Sequence, residues 1–236
     1  MRYFTLSLLI LSLSACSSYQ YMTLSSSQLK KNNKQQLVFE NDTLSLTYDF
    51  GGFDGPVSIN IYNKTSQPLY VNWKKSALIR DQHPLSYFDR NIPFSASGDS
   101  YGNRFVSTGS YSGSLSLPEG MTFIPPGSAV SKELVYLSQS GPFIFSIPDS
   151  ITQKKFQNSN NTSDVHYRQL SYDETGSPMK FKSYLIFTLG LNNTQEFAES
   201  ADFYVSETID TKTVPEEFPL YQQQGDKFFF KYKKQQ

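Results

Sequence analysis

Chemistry in this chain of 236 residues has to come from few reactive side chains, among them 2 His and 1 Cys. A serine hydrolase needs a Ser at the tip of a tight turn with a His base in reach. The stretch "GSYSG" at 109–113 imitates the G-x-S-x-G elbow, but its central residue is Tyr111, so the motif fails. The bases on offer, His83 and His166, both stand in polar, turn-like sequence and read as solvated surface side chains. Transition-metal binding asks for His, Cys, Asp or Glu clustered at ligand spacing, and the two His are far apart in sequence. Asp49 and Asp54, around "GGFDG", could offer oxygens to calcium but lack the D-x-[DN]-x-[DN]-G ladder, so a β-turn is the simpler reading. Carboxylates that hydrolyse sugars must oppose each other across a cleft. Glu216 and Glu217 are instead adjacent, before "FPLY", and read as pointing apart on an extended segment. No Gly-rich phosphate loop follows a strand. The sequence thus predicts no catalytic residue, no metal site and no cofactor.

The lone Cys is a different matter. "MRYFTLSLLILSLSACSS" opens with a cationic Arg2, an apolar run from Thr5 to Leu13, and small residues leading into Cys16. That run is shorter than the roughly 20 residues of a permanent membrane span, so it reads as a targeting segment. Leu13-Ser14-Ala15-Cys16 resembles the lipobox of bacterial lipoproteins. In that family the Cys thiol takes a diacylglycerol and the Cys becomes the first mature residue. Two or three palmitate-type chains anchor durably, since each buried methylene contributes about 0.8 kcal/mol. With Cys16 so used, no thiol remains for a disulfide, a zinc site or a nucleophile. By resemblance to the sorting rule of enteric bacteria, Ser17 implies the outer membrane. The acidic cluster that some Bacteroidota-type lipoproteins carry after the Cys is absent from "CSSYQYMTL", which implies a periplasm-facing location. The resemblance therefore makes the membrane a partner through the N-terminal lipid.

The elements that would position any site are strands. Residues 1–15 form the expected signal peptide, and 16–36, rich in Ser, Gln, Asn and Lys, the expected flexible tether. Residues 37–212 form the β domain, and 213–236 a C-terminal extension. In "TLSLTYDF" Leu44, Leu46, Tyr48 and Phe50 share one face, because side chains alternate across a strand. "FGGFDGP" then turns the chain into "VSINIYN", with Val57, Ile59 and Ile61 together, which predicts a hairpin. After "NKTSQP" the run "LYVNW" puts Leu69, Val71 and Trp73 on a core face, with Tyr70 and Asn72 on a partly exposed one. This corner resembles the strand B to strand C region of immunoglobulin-like sandwiches, where a Trp packs between the sheets. The "N-K-T" corner followed by "W-x-K-S" also resembles a recurrent pattern in uncharacterised lipoproteins of Bacteroidota-type bacteria, which carries no activity with it.

Residues 84–113 read as long Gly- and Ser-rich loops. "IPPGS" at 124–128 reads as a turn between strands, and 150–163 as an exposed insertion. "MKFKSYLIFTLGL" (179–191) and "ADFYVSETIDT" (201–211) are the strongest later strands. "KFFFKYKK" (227–234) reads as a last strand in preference to a hydrophobic handle, since exposed consecutive Phe invites aggregation. No segment carries helical periodicity with caps. The expected fold is all-β: one antiparallel β-sandwich, immunoglobulin-like, with long loops.

Removing residues 1–15 takes out Arg2 alone and leaves 20 basic against 21 acidic side chains, so nothing neutralises phosphates and nucleic acid is not an expected partner. Two surface features remain. Asp42-Thr43-Leu44 and Asp149-Ser150-Ile151 match the D-[ST]-apolar pattern that resembles protein O-glycosylation sites of Bacteroidota-type bacteria, which would modify Thr43 and Ser150. Tyr87, Phe88, Tyr101, Phe105 and Tyr111 lie in or beside the long loops and offer a binding surface; lining the core is the other reading for some of them. The expectation is a membrane-anchored envelope lipoprotein acting as a binding or assembly module for an envelope protein or glycan. An envelope hydrolase with a cryptic site and a passive structural or secretion-accessory lipoprotein are the alternatives.

Overall fold

The computed structural model describes residues 17–88, 120–140, 143–148, 150–156, 164–190, 196–221 and 224–233. Among them every regular element is a strand except one 3-10 turn, Leu137–Ser140. In chain order the strands are β1 (Ser17–Ser25), β2 (Lys30–Lys31), β3 (Leu37–Glu40), β4 (Leu44–Asp49), β5 (Gly52–Phe53), β6 (Pro56–Asn63), β7 (Leu69–Arg80) and β8 (His83–Ser86). There follow β9 (Met121–Ile124), β10 (Ala129–Tyr136), β11 (Lys154–Phe156), β12 (Val165–Ser171), β13 (Lys180–Leu189), β14 (Glu196–Thr211) and β15 (Lys227–Lys233).

Two sheets result, a curled half-barrel and a flatter one. The flat sheet has 5 strands in the order β10-β6-β4-β3-β2, and the curled sheet has 10, with the path β5-β15-β1-β14-β13-β7-β8. Pairing is antiparallel except between β15 and β5. β14 is the spine of the curled sheet, and its 16 residues outrun any single partner. β1 lies along one side of it. The other side is shared by β13, from Glu196 to Tyr204, and by β12, from Glu207 to Thr211. Bulges at Thr23/Leu24 and Tyr184/Ile186 add local twist, which helps a sheet of this width to curl.

The two sheets share one core, which gives a sandwich-like all-β architecture. Leu44, Leu46, Tyr48, Phe50, Val57, Ile59 and Ile61 are all buried, as the alternation predicts. They meet the curled sheet through rings: Tyr48 and Phe50 stand 5.0 and 5.1 Å from Phe203. Each such side chain stabilises the fold by about 1.5–3 kcal/mol through burial.

The chain passes from the flat sheet (β6) to the curled one (β7) through "NKTSQP". Asn63, fully buried, locks the passage: its Nδ2 donates to the carbonyls of Gln67, Ile124 and Pro125, while its Oδ1 accepts from the backbone and hydroxyl of Thr65. The N-K-T corner is thus a structural lock. Trp73 fills the core beyond it and donates its indole N–H to Thr122 at 2.7 Å.

Several expectations need correction. Residues 16–36 are not a free tether, because "SSYQYMTLS" is strand β1, held between β14 and β15. Its Ser and Gln suggested solvent, but Gln20, Met22 and Leu24 are buried on one face and Tyr21 on the other. The sheet therefore extends past both ends of the 37–212 segment, and 227–233 is the last strand, as preferred. Tyr70 is buried, with its ring 5.4 Å from that of Phe123 on β9. The loop expected from residue 84 begins instead with β8, and the 150–163 insertion contains β11, paired with β12. Glu216 and Glu217 sit exposed in a turn and not on an extended segment.

Candidate functional site

The alternation of β1 builds the site. Ser18, Gln20, Met22 and Leu24 share the face that carries the main core, but towards the start of the strand that core gives out and polar groups take over. Neighbouring strands add residues of the same face: Tyr232 opposite Ser18, Asp210 opposite Gln20, and Arg168 opposite Asp210. A cavity of about 500 Å3 opens there, at the mouth of the curled sheet, lined by Ser18, His166, Arg168, Asp210, Lys212 and Tyr232 among others. That volume lies in the range of small-molecule sites.

Gln20 organises the mouth. Its Nε2 donates to the Phe145 carbonyl at 2.8 Å and to Asp210 Oδ1 at 2.7 Å, and its Oε1 accepts from the Phe145 N–H at 2.8 Å. A fully buried side-chain amide thereby holds the 143–148 segment as a neighbouring strand would. Arg168 stands 3.5 Å from Asp210 Oδ2 and donates to the Ile147 carbonyl at 3.3 Å. Tyr232 hydrogen-bonds Asp210 and Ser18. Burial, and then the Asp210 carboxylate, push its phenol up to about 12, against a smaller opposing effect of Arg168. The phenol is therefore neutral at physiological pH, as a donor must be.

The opposite face of the same sheet end carries a second, aromatic cluster. Tyr21, Val165, Ile209 and Phe218 form its buried centre, and Phe218, Leu220 and Tyr221 of the β14–β15 connection cover it. Tyr21 lies 4.8 Å from Phe218 and 4.9 Å from Tyr221; its hydroxyl donates to the Thr213 carbonyl at 3.0 Å. The strands that frame the mouth are thus braced from behind.

Of the residues singled out from sequence, His166 lines the mouth. His83 is exposed beside the β7–β8 turn. Its neighbour Arg80 shares a row with Phe181 and Phe203, whereas His166 lies beyond Thr211, so roughly eight residues of strand, about 25 Å, separate them. The two bases are not brought together. Tyr87 is corrected from the binding surface to the core: it is fully buried and donates to Ser183 Oγ at 3.0 Å. Phe88 packs partly buried against the same core, under the Lys74 ammonium at 4.9 Å. Tyr101, Phe105 and Tyr111 lie outside the described residues, as does Cys16. Thr43 is half-buried in the β3–β4 turn, where its N–H donates to Asn41 Oδ1, and Ser150 is exposed. Among the described residues no group of three or more His, Cys, Asp or Glu could hold a metal ion.

Sequence reasoning missed Gln20, Arg168, Asp210 and Tyr232. The period-two run Tyr19-Gln20-Tyr21-Met22-Thr23-Leu24 was the available signal for the first of them. No protein-family pattern, curated protein or solved structure matches the chain, so the meaning of the mouth rests on its own geometry. Its lining combines the cations Arg168 and Lys212, the Tyr232 hydroxyl and the carboxylates Asp164 and Asp210 in a concave setting, which suits a polar, hydroxyl-rich or peptide-like ligand.

Proposed function

We propose that the chain is a lipid-anchored envelope protein of a bacterium, held at the periplasmic face of the outer membrane through Cys16, that binds a polar ligand or a segment of an envelope partner in the mouth of its curled sheet. The observation that supports this reading most is that the cavity is lined by Ser18, two residues after the candidate lipidation site. A Gln20-Asp210-Arg168 network keeps it preorganised, which lowers the ordering cost of binding. The reading takes the architecture as an immunoglobulin-like sandwich; the passage from β6 to β7 across the sheets, with Trp73 between them, supports that.

The anchor is tested by mass spectrometry of the mature N-terminus extracted from membranes; an unmodified, secreted product ends that part. Binding is tested on the mature chain carrying Cys16→Ser, by NMR against envelope glycans and peptides. The expected result is shifts confined to the mouth and abolished by Tyr232→Phe or Arg168→Gln. A panel that moves no mouth resonance refutes the binding role. A hydrolase is the alternative, favoured by His166, Asp164 and Asp210 lining one cavity. Turnover of an envelope substrate that His166→Ala abolishes, with binding retained, would establish it.

A further inference from the structure

The end of the curled sheet from which Cys16 departs is basic. Register places Lys154, Tyr167, Thr211, Tyr19 and Lys231 in one continuous row across five strands. Beyond that row, towards Cys16, come Lys155 beside His166 on one flank, Tyr232 and Lys233 beside Ser18 and Ser17 on the other, and Lys212 between them. Among the described residues the acids on or beside these strands within the rim are Asp164, which pairs with Lys155 at 2.5 Å, and Asp210, which pairs with Arg168. Lys212, Lys231 and Lys233 are exposed. Glu216 and Glu217 are exposed on the turn that covers the aromatic cluster beside Tyr19, and Lys154, Lys155, Arg168, Lys212, Lys231 and Lys233 outnumber these two and the two Asp together. The mature chain as a whole has no basic excess, with 20 basic against 21 acidic side chains. The local surplus is therefore an asymmetry of the fold.

We infer that this rim is a docking surface for an anionic phospholipid bilayer, on which Lys212, Lys231 and Lys233 meet the headgroup phosphates and Tyr19 and Tyr232 reach the interface. Ser17 is already hydrogen-bonded sheet, opposite Lys233, so a single peptide bond, about 3.8 Å from Cα to Cα, separates the folded body from Cys16. Acyl chains on Cys16 would then hold this rim, and the mouth it frames, beside the headgroups. Lysine ammoniums with tyrosines between them are the side chains that settle at such an interface. Finally, each lysine near an anionic leaflet strengthens partitioning about fivefold.

The orienting role given to the acyl chains rests on the lipoprotein reading, but attraction to anionic lipid does not need the anchor, so the two fail separately. Mature Cys16→Ser protein is co-sedimented with phosphatidylcholine vesicles, with and without phosphatidylglycerol at about a third of the lipid. Binding to the anionic vesicles alone, weakening as salt rises, is expected. Lys212→Gln/Lys231→Gln/Lys233→Gln should weaken it on the order of a hundredfold. The control Lys30→Gln/Lys34→Gln/Lys180→Gln, which removes the same charge around the far end of β1, should leave it within a few-fold, with circular dichroism confirming that both variants are folded. Equal binding to both vesicle types, or equal loss in both triple variants, overturns the inference. Acylated wild-type protein whose Cys16→Ser form ignores anionic vesicles keeps the lipoprotein reading and overturns this one. An unacylated wild type whose Cys16→Ser form binds them does the reverse.

Discussion

Replacing Gln20 with Leu, a side chain of similar size, tests whether one buried amide holds the mouth together. The substitution removes the two bonds to Phe145 and the one to Asp210, at 2.8, 2.8 and 2.7 Å. A hydrogen bond lost between neutral groups costs about 1 kcal/mol net, and one to a charged group about 1.5–3. The 143–148 segment is half-exposed, so its freed backbone groups can turn to water; the sum then stays at about 3.5–5 kcal/mol. For a domain of this size that lowers Tm by roughly 7–20 °C. Thermal melts followed by circular dichroism measure the first quantity, and hydrogen exchange at the Phe145 amide the second. The amide should pass from protected to exchanging at the rate of a frayed loop. Gln20→Glu is the companion variant: it keeps the acceptor for Phe145 N–H, loses the donor, and sets a second carboxylate against Asp210, so it should destabilise at least as much at pH 7 and recover partly in acid. A Leu variant that melts within 2 °C of wild type with an unchanged Phe145 amide would refute the reasoning.

Three further outcomes follow from other parts of the fold. Asp81 and Gln82 both have positive φ, 51° and 66°, in the two-residue β7–β8 hairpin, a conformation that favours Gly at its second position. Gln82→Gly should therefore gain up to about 1 kcal/mol, read as a Tm rise of about 2–4 °C. Asp226 is buried and pairs with Lys31 at 2.5 Å, so Lys31→Met leaves an uncompensated buried carboxylate and should cost about 3 kcal/mol in urea denaturation. Tyr232 is raised from 10.0 to about 12, so the folded state holds its phenolic proton above the pH at which the unfolded chain releases it. That contribution to stability is complete below pH 10 and is lost as pH rises towards 12. Denaturation at pH 9 and pH 11.5 should show a smaller drop for Tyr232→Phe than for wild type.

Where neighbours in sequence are neighbours in space, the fold was legible. The β4–β6 hairpin, the core face of Leu69, Val71 and Trp73, and the turn at Gly127, with φ 63°, all followed from alternation and turn chemistry. The mouth was not legible, because its pairs join distant segments: Gln20 with Asp210, Ser18 with Tyr232. A polar side chain satisfied by a partner some 190 residues away is indistinguishable, in sequence, from one satisfied by water. Tyr87 misled for the reverse reason: its Gly- and Ser-rich surroundings suggested solvent, while the Ser183 hydroxyl that lets it be buried sits on β13. The aromatic run 227–233 forms the strand that its composition favours, although nothing local indicates that its partner is β1.

That pairing has a temporal consequence. Among the described strands β1 is synthesised first and β15 last, and β1 must wait for β14 on one side and β15 on the other. The curled sheet cannot complete itself until residues 227–233 are present, and contacts of such long sequence separation form slowly. A chain that emerges start-first would thus hold β1 unpaired until β14 and β15 have followed it, so closure of the curled sheet is a late event.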